Sequence, residues 1–409
     1  MIFDGMGGGA TCRECRRWQE RLPRSGSRSG RTLRAVMAAM VMAAMVLAVT
    51  AAVAPAADAS PALGATPSAA ASVPGQAPAP GTPPAAGTAH SLRASAPAFG
   101  LQAEVEVRDL PGPEAEAALR AALAEIAGVE RLVDAERPDS AVGALNAAAG
   151  RGPQKVEARV LAALGRALDI CLWSDNRNGP LGAEMYRLWG LGPRSGQGPT
   201  RLSEPPAEDA LARAAELAEC GRLSLDPARG TATLAAGSRV DLSGFAQGLA
   251  VDRAVEALRG HGAPNGQVRV GSVWRAFGGG LDGKGWWVTL PGVPGAEGPP
   301  ERVRLRDQSL AVAAREDHPL QVGDATLSPY LNQRTGRPPE GIAVLATLAV
   351  TDLAIDAQAL AVTLAITGSR QGQLLMGSIR PRPSVLWLQG NGSGPPLAVD
   401  YRWAELAKR

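Results

Sequence analysis

The sequence predicts an α+β (mixed α/β) protein, with one large folded domain whose central mixed sheets are flanked by helices. Three observations predict it. Segments with strand alternation and segments with helical periodicity succeed one another, but without the regular period of a doubly wound sheet. A β-run (Thr233, Leu234, Arg239, Val240) ends in a polar, glycine-bearing corner and passes straight into an apolar helix. Finally, residues 97–409 form a stretch long enough to bury a substantial core.

The chain of 409 residues begins differently. Residues 35–54 are an uncharged apolar run preceded by Arg24, Arg28, Arg31 and Arg34, and they end near Ala57-Asp58-Ala59. That is the layout of a secretory signal, and the run is also long enough for an N-terminal membrane anchor. Residues 1–59 are therefore read as signal peptide or anchor. Residues 60–96, almost wholly Ala, Pro, Ser, Gly and Thr, cannot bury enough apolar area to offset ordering entropy and read as a disordered linker. The protein is expected to be exported to the periplasm or cell envelope, freed by cleavage or tethered at its N-terminus.

Composition narrows the function. The net charge of +3 overstates the basicity of the folded part, because the leader is arginine-rich. No basic face with interleaved aromatics appears, so a nucleic-acid partner is not expected. Cys12 and Cys15 form a CxxC in the leader that reads as chance spacing, with a redox or metal role as the alternative. Cys171 and Cys220 are either a disulfide or two buried thiols. His90, His261 and His318 show no spacing suited to a metal.

Along the folded part, residues 101–108 alternate as a first strand, and Glu114–Asp134 has helical spacing of its apolar residues. A turn at Arg137–Ser140 leads to Val142, Leu145 and Asn146, and a second helix spans about 157–172. A Gly/Pro loop (Asn178–Gly182), a loop over 192–206 and a helix to about Cys220 follow. Two short strands (222–226, 231–235) precede the helix that begins near Ser243 and ends around 260–262. Strand-like runs occupy 267–277, 285–290, 301–306 and 309–313. A loop spans Ser328–Gly336, a strand 342–350 and a helix 354–367. The last strand is 384–389.

The corner Val240-Asp-Leu-Ser-Gly-Phe-Ala-Gln-Gly248 carries the most chemistry. Ser243 is a candidate N-cap, and Gly244 lets a ligand approach the backbone. The free N–H groups and dipole of such a helix start favour an anion such as phosphate. Four other segments accompany it: Arg137-Pro-Asp-Ser140 with Leu145-Asn146; Gly179-Pro-Leu-Gly182 with Leu188-Trp-Gly-Leu-Gly192; Asn332-Gln-Arg-Thr-Gly336; and Ala357-Gln-Ala-Leu-Ala-Val362 with Gly368. In this order and spacing, over roughly residues 97–395, they resemble the FAD:protein FMN transferases, the ApbE-type flavin transferases of bacterial envelopes. The resemblance implies a flavin-transferase-like fold. It also implies Mg²⁺-dependent transfer of FMN from FAD to a Thr or Ser of an acceptor protein in an envelope redox complex.

On that resemblance, the candidate flavin-binding residues are Asp241, Ser243, Gly244, Gln247, Asn332, Arg334, Thr335 and Gly336. Asp241 either bonds a flavin or adenine edge or caps the turn, and Asp252 orients its helix or pairs with Arg253 or another neighbour. Mg²⁺ prefers hard oxygen ligands. The resemblance implies an Asp and a Thr one helical turn apart, with Gly244 a possible backbone contact. Gln358 and Val362 occupy those positions, so no metal ligand or catalytic residue is assigned. Asp356 and Asp352 are alternatives in a shifted register, with Asp356 preferred as a helix N-terminal acid. Pro329, Ala314-Arg315-Glu316, Gly179 and Leu181 also depart from the pattern, and Gln247 stands where a Lys or Glu is usual. The expectation is a transferase-like protein of reduced activity. The alternative is a non-catalytic scaffold that binds flavin nucleotide or the acceptor.

Overall fold

A computed structural model describes residues 91–192, 200–290, 302–316, 319–339, 344–391 and 394–406. The leader, the linker up to residue 90, Cys12, Cys15, His90 and His318 lie outside the described residues. Among the described residues no helix is long and apolar enough to cross a membrane.

Eight strands form the central sheet: β1 (Ser91–Ala98), β2 (Leu101–Arg108), β7 (Asn265–Val270), β8 (Val273–Phe277), β11 (Gln308–Ala314), β14 (Val344–Thr351), β15 (Ser384–Asn391) and β16 (Gly394–Tyr401), side by side in that order. Every neighbouring pair in it is antiparallel. The α+β expectation holds, with the refinement that the central sheet is not mixed. The parallel pairing occurs between β4 (Thr200–Leu202) and β12 (Leu320–Val322), in a small sheet completed by β13 (Ala325–Leu327). A further small sheet joins β3 (Gln154–Lys155), β6 (Thr231–Leu234) and β5 (Leu223–Asp226).

Side-chain alternation explains why the strand sequences look hydrophobic throughout. In β11, Leu310 and Val312 face one core, while Ala311 and Ala313 face the other. The first core lies under α1 (Gly112–Val133), α6 (Ser243–Gly260) and α7 (Ala354–Met376). The second is closed by the hairpin of β9 (Trp286–Thr289) and β10 (Arg302–Leu305), through Trp286, Val288, Val303 and Leu305. Burying each such large side chain contributes about 1.5–3 kcal/mol. The remaining helices are α2 (Ala141–Ala147), α3 (Ala158–Trp173), α4 (Ala183–Leu188), α5 (Glu208–Leu217) and α8 (Trp403–Leu406).

Several boundaries differ from expectation for identifiable reasons. Strand β1 takes in residues 91–96, which the composition had assigned to the linker, because this small-residue stretch pairs along its whole length with β2. The run through Arg239 and Val240 is not a strand. Instead β6 stops at Leu234, and Asn146 takes over the Val240 backbone, its Nδ2 donating to the carbonyl at 3.0 Å and its Oδ1 accepting the N–H at 2.7 Å. The chain does not end its sheet at residue 389, since β16 adds an edge strand. Helix α7 continues beyond 367 by kinking at Gly368, where φ is +71°.

Helices α6 and α7 cross closely enough that only glycine fits at residue 248. A Cβ there would sit 2.5 Å from both the Ala354 carbonyl oxygen and Ile355 Cα. The crossing is fixed by Asp252, buried on α6. Its two oxygens accept the Ala354 N–H at 2.9 Å and the Ile355 N–H at 3.0 Å, and its Oδ1 also pairs with Arg275. Asp252 therefore caps α7 from outside and does not pair with Arg253.

Candidate functional site

The site is built on the loop Asn178-Gly-Pro-Leu-Gly182, between α3 and α4. The Asp241 N–H donates to the Pro180 carbonyl at 2.8 Å, which fastens the corner before α6 to this loop. From the other side, the buried Gln333 donates its side-chain amide to the Gly179 carbonyl at 2.8 Å and its backbone N–H to the Arg177 carbonyl at 3.0 Å. The corner after Val240 and the polar loop before Arg337 thus hang on one five-residue support. Tyr186 on α4 spans the same junction. Burial, and then the charge of Asp241, push its phenol above the ordinary tyrosine value, with a hydrogen bond to the Leu331 backbone opposing.

At the corner, the half-buried Asp241 accepts the Ser243 N–H on Oδ1 at 2.7 Å, so it caps the turn. Burial raises its carboxyl above the usual aspartate range, against the lowering effect of the Ser243 hydrogen bonds. Ser243 is the first helical residue, preceded by Leu242 at the N-cap position; the Ser243 N-cap expectation is corrected because Asp241 supplies the capping oxygen. Phe245 and Ala246 donate to the Leu242 carbonyl, whereas the Gly244 N–H is without a partner among the described residues. A Cβ on Gly244 would meet nothing within 4 Å, so the backbone at this helix start is uncrowded, and an unpaired N–H at a helix start favours an anion. The Gln247 side chain reaches the β7–β8 turn, its oxygen placed 3.4 Å from where a Gly271 Cβ would stand.

In the second loop, Asn332 folds a tight turn. Its carbonyl accepts the Thr335 and Gly336 N–H groups at 3.1 and 2.8 Å, and its Oδ1 accepts that of Arg334 at 3.1 Å. Arg334 and Thr335 are exposed, with Arg334 paired to Asp175. Gly336 is buried at φ +69°, and its carbonyl accepts the Trp189 indole N–H at 2.7 Å. Its part in the loop is to seat Trp189.

The residues implied to hold Mg²⁺ do not suit that ion. The Gln358 oxygen accepts the Gly248 N–H at 2.8 Å while its Nε2 donates to the Ser243 carbonyl at 3.1 Å. Val362 has no donor atom. Thr363, about 100° further around the helix, accepts from Asn178 at 2.9 Å and donates to the Ala359 carbonyl at 2.7 Å. Asp356 lies beside Arg166, 3.4 Å away, and burial raises its carboxyl more than that arginine lowers it. Asp352 is exposed. No cluster of three or more His, Cys, Asp or Glu residues forms among the described residues. Neither the expected register nor the shifted one assembles hard oxygen ligands.

Contacts that the sequence does not display bind the motifs to one another. Ser140 caps α2 by accepting the Gly143 N–H at 2.8 Å. Cys171 and Cys220 form a disulfide, Cα atoms 5.9 Å apart, and a Cβ on Gly179 would lie 2.6 Å from that of Cys171. Gln333 and Asn178 carried no signal beyond their place in the motif loops, and Tyr186 none beyond its place on α4. A groove of about 740 Å³ lies elsewhere, lined in part by Arg93, Glu106, Gln267, Trp274 and Trp287, and none of the candidate residues line it.

The fold, an antiparallel sheet under crossed helices, is similar to that of solved flavin transferases. The fold is similar to flavin transferase ApbE from Vibrio cholerae, with TM-score 0.66 at 20% identity, covering 76% of this chain and 97% of that one. It is similar also to the apo Pseudomonas stutzeri flavinyl transferase ApbE, with TM-score 0.67 at 20% identity, covering 78% of this chain and 97% of that one. The chain belongs to the ApbE family, which it matches over residues 99–386. A FAD:protein FMN transferase of Treponema pallidum is 30% identical over 167 residues, 39% of this chain and 44% of the relative. That of Haemophilus influenzae is 26% identical over 178 residues, 42% of this chain and 50% of the relative. The matched stretches thus span about half the length of these curated relatives.

Proposed function

We propose that the chain binds a flavin nucleotide, FAD, at the junction carried by residues 178–182 and serves the transfer of FMN to an acceptor protein. The observation that carries this reading is the convergence of two loops on one support, with the Gly244 N–H unpaired among the described residues at a helix start. In this reading the Gly244 N–H and the helix dipole receive a phosphate, while Asn332, Arg334 and Thr335 contact the adenosine part. Transfer breaks the FAD pyrophosphate, releases AMP and leaves FMN on a Thr or Ser hydroxyl through a phosphoester. The named relatives support this activity.

Export to the envelope, by a cleaved signal or a membrane anchor, accompanies the proposal. The arginine-flanked apolar leader and the Cys171–Cys220 disulfide both support an oxidising compartment. The acceptor is then a subunit of an envelope redox complex. The test is incubation with FAD, Mg²⁺ and an acceptor domain, followed by intact mass. A gain of one FMN on the acceptor supports transfer. An unchanged acceptor with FAD still bound to the chain supports a second reading, a non-catalytic flavin-binding scaffold, which the occupied Gln358 amide and the apolar Val362 favour.

A further inference from the structure

We infer that Gln358 is a positioning residue that replaces a bound cation, so that this chain holds its flavin nucleotide without a divalent metal. The inference rests on the flavin reading above and specifies how that site works. At the place where α7 crosses the start of α6, the Gln358 amide spans two backbone groups of α6, the Ser243 carbonyl and the Gly248 N–H. Both belong to the first two turns of the helix that carries the unpaired Gly244 N–H. A primary amide is suited to this task because it donates from one end and accepts at the other. A carboxylate would accept from Gly248 but would face the Ser243 carbonyl oxygen with a second acceptor, and that arrangement is tolerable only with a cation or proton between them.

The neighbourhood is arranged accordingly. Val362, one turn further on, is buried and apolar, so no second oxygen faces the space. The Thr363 hydroxyl is committed as both donor and acceptor. At the crossing of Gly248 against Ala354 and Ile355 the backbones lie too close to admit even a Cβ, and this places the Gln358 amide directly against α6. A buried amide with both ends satisfied is stable, whereas a cation here would compete with the Gly248 N–H for the Gln358 oxygen and gain only a neutral ligand.

The experiment is a calorimetric titration of FAD into the whole exported chain, once in EDTA and once in millimolar Mg²⁺. Dissociation constants within twofold of each other support the inference, and tenfold tighter binding in Mg²⁺ overturns it. The Gln358→Asp, Val362→Thr double variant restores the metal-binding pair of the resemblance, and its FAD affinity is expected to become at least tenfold dependent on Mg²⁺. A folded double variant still indifferent to Mg²⁺ overturns the positional assignment. A purely structural Gln358 would change the melting temperature but not this metal dependence. If FAD binds in neither buffer, the flavin reading fails by itself, and a Mn²⁺ titration of the chain read by electron paramagnetic resonance decides the present point. No ion bound at millimolar Mn²⁺ supports it; one tightly bound ion per chain overturns it.

Discussion

The Asp252 carboxylate accepts the backbone N–H of Ala354 at 2.9 Å, so the middle of α6 caps the start of α7. The same carboxylate takes the Ile355 N–H and the Arg275 guanidinium, and both charged side chains are about nine-tenths buried. Removing one partner of a buried, hydrogen-bonded pair strands the other. Asp252→Ala is expected to lower stability by about 3–5 kcal/mol, read as a lower urea midpoint with an unchanged slope. A loss under 1 kcal/mol would mean that α7 does not depend on this cap.

A second prediction concerns acid. Glu106 on β2 is buried, which pushes its carboxyl up. Hydrogen bonds from Ser91 and Gln267, together with Arg93 and Arg108, outweigh burial and leave it below the usual glutamate range. A depressed folded value means that the stabilisation is fully present above the unfolded value, roughly pH 4.3, and is lost as pH falls through the folded one. Glu106→Gln should cost about 2–3 kcal/mol at pH 7, between the exposed and fully buried cases. It should also remove that part of the acid-induced loss below pH 4.3. Urea titrations at a series of pH values check both.

The disulfide gives a third. Cys171 and Cys220 close a loop with a sequence separation of 49, and Cys171 packs against Gly179 of the supporting loop. Removing such a bond costs about 2–4 kcal/mol. Cys171→Ser with Cys220→Ser is expected to lower the melting temperature and to speed hydrogen exchange at residues 178–182, where Gly179 loses its brace. Unchanged exchange there would separate the disulfide from the site.

Arg334 gives the opposite pattern. It is exposed and pairs only at the surface with Asp175, so Arg334→Ala should leave stability within about 0.5 kcal/mol. In the proposed site it touches the nucleotide, so FAD affinity should fall about tenfold, equivalent to 1.4 kcal/mol. Parallel thermal melts and FAD titrations check this.

The large elements were legible because their periodicity reports burial directly. The helix spacing of Leu119, Ile126 and Val129 and the alternation of Leu101–Arg108 each bury one face. What escaped notice was carried by partners distant in sequence. Asn146 stands in a motif segment, but nothing in the sequence shows that its amide takes both backbone groups of Val240, 94 positions away. Gln333 owes its role to the Gly179 carbonyl, and Asp252 to two amides over a hundred residues on. Strand β1 was hidden because Ala, Ser and Pro read as linker when their pairing partner is not visible. Of the candidate site, the sequence located both loops and the Gln358 and Val362 substitutions, but it held no trace of the bridge those loops share.

Hydrogen exchange of the whole chain with and without FAD tests the central claim most directly. The account predicts added protection confined to two stretches, the helix start at 241–248 and the turn at 332–336. Protection at neither stretch, or at only one of them under saturating FAD, would contradict it.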